Sequence, residues 1–164
     1  MDSSLLLIHA LEELADAQVD FVVCGGVACV LQGCQRTTMD LDLNVSFEPD
    51  NIQRLLGALA RLGVVPRVPV PLESLLDPLQ RKEWVDSKGA MVFTVQSPDG
   101  YLQIDLFLRY PIAYSDLHDA ASRVQIHGKT IAVSSVQHLI LAKEAIEPKR
   151  PKDKLDLEEL RALK

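Results

Sequence analysis

The stretch FVVCGGVACVLQGCQRTTMDLDLNV, residues 21–45, joins an apolar run, a double glycine and two closely spaced aspartates. The β-rich residues 19–24 predict a buried strand that ends at the glycines. Residues 27–32 predict a short helix that ends at Gly33. The stretch is therefore either a functional site or a buried strand followed by a solvated one.

Residues 39–45 alternate strictly between polar and apolar side chains, which predicts a second strand. Asp40 and Asp42 then share one face, about 7 Å apart, with Asn44 beside them. Carboxylates at this separation repel each other unless water or a cation lies between them, and they suit hard divalent ions. A one-sided sheet with a solvated face produces the same pattern, so the motif alone does not decide.

Length and charge limit the possible functions. The chain has 164 residues, which predicts a single domain over 1–164 with a core at about 18–147 and a C-terminal helix at 151–164. The net charge of −6 means that nucleic acid is not attracted by the overall field, so such a contact needs a local patch such as 147–154. No apolar run approaches the roughly 20 residues of a membrane span. No basic segment precedes the apolar N-terminal residues, so we expect no signal peptide, no membrane partner and a cytoplasmic location.

The three cysteines are expected to be small buried hydrophobic residues with reduced thiols. Cys24, Cys29 and Cys34 are five residues apart, which fits neither one helical face nor a zinc knuckle. The sequence therefore predicts no metal site built from sulfur ligands.

Helices and strands alternate along the rest of the chain. Helices are predicted at 4–17 with Ser3 or Ser4 as the N-cap, at 49–62 with an Asp50–Gln53 capping box, at 72–84, at 134–146 with a Ser134–Gln137 capping box, and at 152–164. Strands are predicted on both sides of Pro98-Asp99-Gly100 as a hairpin and at 123–133, whereas the proline-broken residues 64–71 predict an irregular connection. The expected fold class is α+β, a mixed sheet with helices packed mainly on one face.

Asp105 lies between Ile104 and Leu106 on a highly apolar strand. A buried carboxylate without a partner is costly, so a cation, or other carboxylates joined through a cation, would explain its presence. The alternative is that Asp105 lies on a solvated face. Gly25 and Gly26 allow close approach of a phosphate to a helix N-terminus, although a double glycine is also a common tight turn.

Together these residues resemble the signature of the nucleotidyltransferase superfamily that includes DNA polymerase β. The matching elements are Gly25-Gly26, thirteen intervening residues, the Asp-Leu-Asp-Leu of 40–43, and the later Asp105. Over residues 21–157 the finer pattern is similar to the bacterial minimal and toxin-type nucleotidyltransferases. That branch tolerates Gly-Gly where many members of the superfamily carry Gly-Ser.

The resemblance implies a role for each matching residue. Asp40 and Asp42 would bind two Mg²⁺ or Mn²⁺ ions, and Asp105 would bind the catalytic ion and help to deprotonate the acceptor hydroxyl. The Gly25-Gly26 backbone would hold the triphosphate of an NTP. Arg36 and Lys143 would also bind the nucleotide, unless Lys143 is a surface lysine. Asp153 and Asp156 are expected to pair with the basic residues at 149–152 or to cap the last helix.

The implied activity is Mg²⁺-dependent transfer of an NMP from an NTP to a hydroxyl of RNA such as tRNA, of a protein or of a small molecule. The resemblance also allows a role as the toxin half of a toxin–antitoxin-type pair. The chain is short, so the acceptor site would come from its own helices, from a homo-oligomer or from a partner protein. The alternative is a non-catalytic nucleotide- or partner-binding member of the same fold, which the presence of all three carboxylates disfavours.

Overall fold

The computed structural model describes residues 2–163, which form one mixed sheet and seven α-helices. The strands are β1 (Phe21–Cys24), β2 (Asp40–Val45), β3 (Val65–Pro66), β4 (Val92–Gln96), β5 (Gln103–Phe107), β6 (Ser122–Ile126) and β7 (Lys129–Val133). The helices are α1 (Ser3–Asp16), α2 (Gly25–Gln32), α3 (Pro49–Leu62), α4 (Pro78–Lys88), α5 (Tyr114–Ala120), α6 (Val136–Glu144) and α7 (Pro151–Ala162).

The sheet order is β3-β4-β5-β2-β1-β7-β6, so β2 lies at the centre. It pairs antiparallel with β1 and parallel with β5. The hairpin predicted around Gly100 joins β4 and β5, and the one over 123–133 is formed by β6 and β7. Strands that are distant in sequence are thus neighbours at the centre of the sheet.

The two faces of the sheet are covered unequally. One face carries the main hydrophobic core, in which Leu41, Leu43 and Ile104 are fully buried and to which every described helix except α5 contributes. On the other face α5 is the one described helix that packs, where Leu117 contacts a small cluster with Val22 and Cys24. The predicted α+β class, with helices mainly on one face, is confirmed, although α5 itself was not predicted.

Several predicted helix starts are wrong by one or two residues. Asp2, not Ser3 or Ser4, caps α1 by accepting the Ser4 N–H at 3.2 Å. Ser135, not Ser134, caps α6, because the Ser134 N–H is already bonded to the Val23 carbonyl at 2.9 Å as the sheet ends.

Prolines account for two further differences. Pro49 starts α3, which places Asp50 inside the first turn, so the predicted Asp50–Gln53 capping box does not form. Pro78 divides the single helix predicted at 72–84 into a 3-10 turn over Leu72–Leu76 and α4, which Asp77 caps. The helix ends predicted at Gly33 and Gly63 are confirmed, and both glycines have left-handed backbones.

The three cysteines are buried and free, in agreement with the sequence. Across residues 2–163, every helix is too short or too polar to cross a membrane.

Candidate active site

Asp42 and Asp105 lie side by side on the sheet face that most of the helices leave open. The central register pairs Cys24 with Asp42, Asp42 with Asp105, and Asp105 with Thr94, so four strands contribute to one row across the sheet. Asp40 lies two residues away on the same face of β2, where it pairs with Gln103. The structure therefore brings Asp105 next to Asp42, some sixty residues earlier in the chain.

Gly25 fits closely against Asp42. Its φ of +62° lies in the left-handed region, and a Cβ on Gly25 would collide with the Asp42 carboxylate. A Cβ on Gly26 would lie 2.8 Å from Thr38 Oγ1 and 3.2 Å from Arg36 Cζ. Both glycines are required for this approach, and they form the first turn of α2 instead of preceding the helix as the sequence suggested.

The start of α2, where a helix has backbone N–H groups without intrahelical partners, therefore lies beside Asp42. Such a helix N-terminus carries a partial positive charge and favours phosphate. Gly25 is thus adjacent to Asp42, and Gly26 is adjacent to Thr38 and Arg36, as a site that holds a triphosphate beside metal ligands requires.

Negative charge accumulates in this row. Burial, followed by the charges of Asp105 and Asp40, raises the pKa of Asp42 from its usual 3.8 to about 7. Burial and the charge of Asp105 also raise the pKa of Asp40. A divalent cation at this face would relieve the repulsion between the carboxylates.

Asp105 is held in place by neighbours on β4 and β5. The Thr94 hydroxyl donates to Asp105 Oδ1 at 2.5 Å, and Gln103 Nε2 lies 3.3 Å from Oδ2. Arg67, which follows β3, in turn donates to the Gln103 side-chain oxygen. Sequence reasoning missed these residues, although the hairpin register would have placed Thr94 opposite Asp105.

The three aspartates supply the hard oxygen ligands that Mg²⁺ and Mn²⁺ prefer. Within the described residues 2–163, however, no three His, Cys, Asp or Glu side chains are gathered closely enough to hold a metal ion. Asp42 and Asp105 are adjacent, and Asp40 lies one step along the strand. The donor chemistry fits the metal, and the assignment of the three aspartates as ligands stays a prediction.

Lys143 is buried on α6. Its amine lies 3.0 Å from Asp153 Oδ1 and 2.9 Å from Asp156 Oδ2, with only 10% of the side chain exposed. Burial opposes the charge, but hydrogen bonds with Asp156 and Asp153 outweigh it and raise the pKa of Lys143. The alternative of a surface lysine is therefore wrong, and a role in nucleotide binding stays a prediction.

Arg36 also joins this group, since its Nη1 lies 2.5 Å from Asp156 Oδ2. Arg150 completes it, with Nε 2.9 Å from Asp153 Oδ2 and its backbone N–H 3.1 Å from the same atom. We call Arg36, Lys143, Arg150, Asp153 and Asp156 the ion-pair cluster. The expected pairing of Asp153 and Asp156 with bases occurs, but Asp156 pairs with Arg36 and Lys143 instead of residues 149–152.

The ion-pair cluster contains three cations and two carboxylates, which leaves one net positive charge beside the negative row. The charge of Lys143 acts in the opposite direction to burial on Asp42 and lowers its pKa in part. Within the cluster, Arg36 both pairs with Asp156 and lies close to Gly26. The cluster therefore places positive charge next to the turn that the sequence assigned to phosphate.

Comparison of the sequence alone with known proteins gives no match: no family model and no curated protein matches the chain. Solved structures do match. The lincosamide antibiotic adenylyltransferase LnuA, bound to lincomycin, superposes with a TM-score of 0.63 at 16% identity and covers 97% of this chain and 96% of its own. ANT(2″)-Ia in complex with adenylyl-2″-tobramycin has a TM-score of 0.58 at 16% identity, covering 99% of this chain and 95% of that one.

A nucleotidyltransferase-like protein from Paracoccidioides brasiliensis has a TM-score of 0.53 at 16% identity, with 98% of this chain and 75% of that chain covered. These neighbours agree with the resemblance that Gly25-Gly26, the two β2 aspartates and Asp105 indicated in the sequence. Identities this low establish architecture alone. The chain has the nucleotidyltransferase fold, as the sequence predicted.

Proposed function

We propose that this protein is a Mg²⁺-dependent nucleotidyltransferase that moves an NMP from an NTP to a hydroxyl acceptor. The observation that carries the proposal is the contact of the Gly25 backbone with Asp42, with Asp105 in register on the adjacent strand. This contact supports the proposal, because a helix start favours phosphate and here lies beside paired carboxylates.

Each residue of the site has a distinct part in the proposed reaction. The N–H groups of Gly25 and Gly26 bind the β- and γ-phosphates, and Arg36 and Lys143 supply positive charge behind them. Asp40, Asp42 and Asp105 hold Mg²⁺, which supplies neutralisation of phosphate charge when it is bound. Asp105 also accepts the proton of the acceptor hydroxyl.

The acceptor oxygen forms a bond to the α-phosphorus as the bond from that phosphorus to the bridging oxygen breaks. Pyrophosphate leaves with the electron pair, and the NMP remains on the acceptor. We expect the rest of the acceptor site to come from the helices of this chain, a second copy or a partner protein. LnuA and ANT(2″)-Ia, with bound lincomycin and adenylyl-tobramycin, favour a small-molecule acceptor over RNA or protein and an adenylyl donor, and they do not bear on a toxin role.

Transfer of label from α-³²P NTPs to cell extract tests the activity. We expect labelled product with the wild type in Mg²⁺ or Mn²⁺. Asp42→Asn and Asp105→Asn should each lower the rate roughly 100-fold or more, because they remove a metal ligand or the proton acceptor. Asp50→Asn, an exposed carboxylate on α3, is the matched control and should retain the full rate.

A wild type that binds Mg²⁺-NTP but labels nothing would instead support a non-catalytic nucleotide-binding protein. A wild type that binds neither Mg²⁺ nor NTP would contradict the proposal altogether.

Mg²⁺ binding has a readout that needs no acceptor. The folded-state pKa of Asp42, about 7, is above its usual 3.8, so without metal the unfolding free energy should fall as the pH rises from about 4 to 7. Mg²⁺ competes with the proton on Asp42, so it should raise the melting temperature more at pH 8 than at pH 6. Asp42→Asn should remove both effects, and an equal Mg²⁺ shift in this variant would rule out Asp42 as a ligand.

A further inference from the structure

A cavity of about 260 Å³ opens on the same sheet face, next to the paired aspartates. Four of its nine lining residues are aromatic, and Asn44, Phe107, Tyr110 and Tyr114 contribute to its walls. We call it the aromatic pocket. It is smaller than the roughly 300–1,000 Å³ of sites that enclose a drug-sized ligand, so it suits one ring system of a ligand.

The strand register fixes the position of the aromatic pocket. Asn44 follows Asp42 by two residues on β2, and Phe107 follows Asp105 by two residues on β5. Side chains two residues apart share a face and are separated by about 7 Å. The aromatic pocket therefore lies one step along the sheet from Asp42 and Asp105.

Gly25 and Gly26 lie on the opposite side of the aspartates. Because β1 is antiparallel to β2 and Cys24 pairs with Asp42, the chain reaches Gly25 at the Asp40 end of β2, away from Asn44. The carboxylate row is thus between the proposed phosphate turn and the aromatic pocket. An in-line displacement brings the acceptor oxygen to phosphorus from the side opposite the leaving pyrophosphate.

The lining of the pocket indicates the chemistry of its occupant. Asn44 is only 6% exposed, and its side chain makes no hydrogen bond to another described residue, so its amide is free to donate and accept towards the cavity. Phe107, Tyr110 and Tyr114 provide faces and edges for a planar ring. Among residues 2–163, no charged side chain lines the cavity.

We propose that the aromatic pocket holds the acceptor, and that this acceptor is an uncharged small molecule with its hydroxyl beside a planar, hydrogen-bonding ring. The inference rests on the proposed function, because it takes the direction of attack from the position of the pyrophosphate. A polyanionic acceptor such as an RNA end is disfavoured by the uncharged lining and by the net charge of −6.

Two measurements on the same variants test the proposal. The first is titration with Mg²⁺ and the non-hydrolysable analogue α,β-methylene-ATP, which reports the donor site. The second is transfer of α-³²P label to cell extract, separated into small-molecule, RNA and protein fractions. Tyr114→Ala removes one pocket wall, Asn44→Ser removes the amide, and Tyr101→Ala removes an exposed tyrosine in the β4–β5 turn as the control.

We expect the label in the small-molecule fraction. Tyr114→Ala and Asn44→Ser should each reduce the transfer rate by about fivefold or more while the affinity for the analogue stays within twofold of wild type. Tyr101→Ala should leave both quantities unchanged. Retained affinity for the analogue also shows that a variant is folded, and if one pocket variant has a lowered melting temperature the other decides.

Label in RNA or protein would overturn the proposal, and so would undiminished transfer in both pocket variants. Loss of analogue affinity in a variant that melts at the wild-type temperature would assign the aromatic pocket to the NTP base instead. Failure of the wild type itself to bind the analogue or to transfer label would contradict the proposed function, whatever the pocket variants do.

Discussion

Gly25 and Gly63 share a left-handed backbone, with φ of +62° and +71°, but differ in their surroundings. A Cβ at Gly63 meets no described atom within 4 Å, whereas one at Gly25 collides with Asp42. Gly63→Ala should therefore lower the unfolding free energy by about 1–2 kcal/mol through backbone strain alone. Gly25→Ala should lower it further and should weaken binding of Mg²⁺ with α,β-methylene-ATP at least about tenfold.

Urea denaturation and calorimetric titration of the two variants provide the comparison. Equal losses of stability, together with unchanged nucleotide affinity in Gly25→Ala, would show that the contact with Asp42 is not needed for binding.

Single residues also show which contacts of the site can be predicted from the sequence. The pairing of Thr94 with Asp105 follows from the hairpin around Gly100, because the turn fixes the register of both strands. The position of Arg67 could not be predicted in this way, because Arg67 lies in a proline-broken segment without periodicity. Its contact with Gln103 depends on the two-residue strand β3, which no pattern indicates.

At the scale of elements, the ion-pair cluster connects α7 to α6 and to the loop before β2. Burial opposes the Asp153 charge, but hydrogen bonds from Arg150 and Lys143 outweigh burial and hold the pKa of Asp153 well below its usual range. Asp153→Asn leaves Lys143 without one of its two anionic partners. We expect a loss of about 3 kcal/mol in unfolding free energy at pH 7.

Glu158→Gln on the exposed side of α7 is the matched control and should lose little. Since the folded-state pKa of Asp153 is depressed, its stabilisation is present at neutral pH and is lost as the pH falls below about 4. The difference between wild type and Asp153→Asn in urea denaturation should therefore shrink in acid. Equal unfolding free energies of Asp153→Asn and Glu158→Gln at pH 7 would contradict this account.

Elements were predicted well where periodicity is strong and poorly where a neighbour decides the boundary. The core helices and the two hairpins follow from regular apolar spacing. Ser134 and Ser135 are equally good caps in sequence, and only the bond from Ser134 to Val23 shows that Ser134 still belongs to the sheet. The short helix α5 has too few turns to produce a clear pattern.

At the scale of the whole molecule, one hydrophobic cluster extends from α1 to α7, and the single domain stays a prediction that unfolding can test. Trp84 packs on Phe93 inside this cluster, with ring centroids 5.2 Å apart. Trp84 fluorescence and far-ultraviolet circular dichroism should therefore report one urea transition with the same midpoint. Two separate midpoints would show that α4 and its surroundings unfold independently.

The sequence predicted three carboxylates for the site, and that assignment stays a prediction; it did not show how closely they approach one another. The order of strands in the sheet depends on long-range packing, and only the resemblance to a known fold supplied the neighbourhood of β2 and β5. The aromatic pocket was missed for the same reason, since its walls come from β2, β5 and the segment that leads into α5.

The parallel pairing of β2 with β5 has a consequence for biosynthesis. Asp40 and Asp42 leave the ribosome long before Asp105, and the row that joins them exists only after residues 46–102 have been made and β5 has docked. Nascent or prematurely terminated chains thus expose the glycine turn without its third carboxylate. Under the proposed function, nucleotide transfer would therefore begin only in chains whose central sheet is complete.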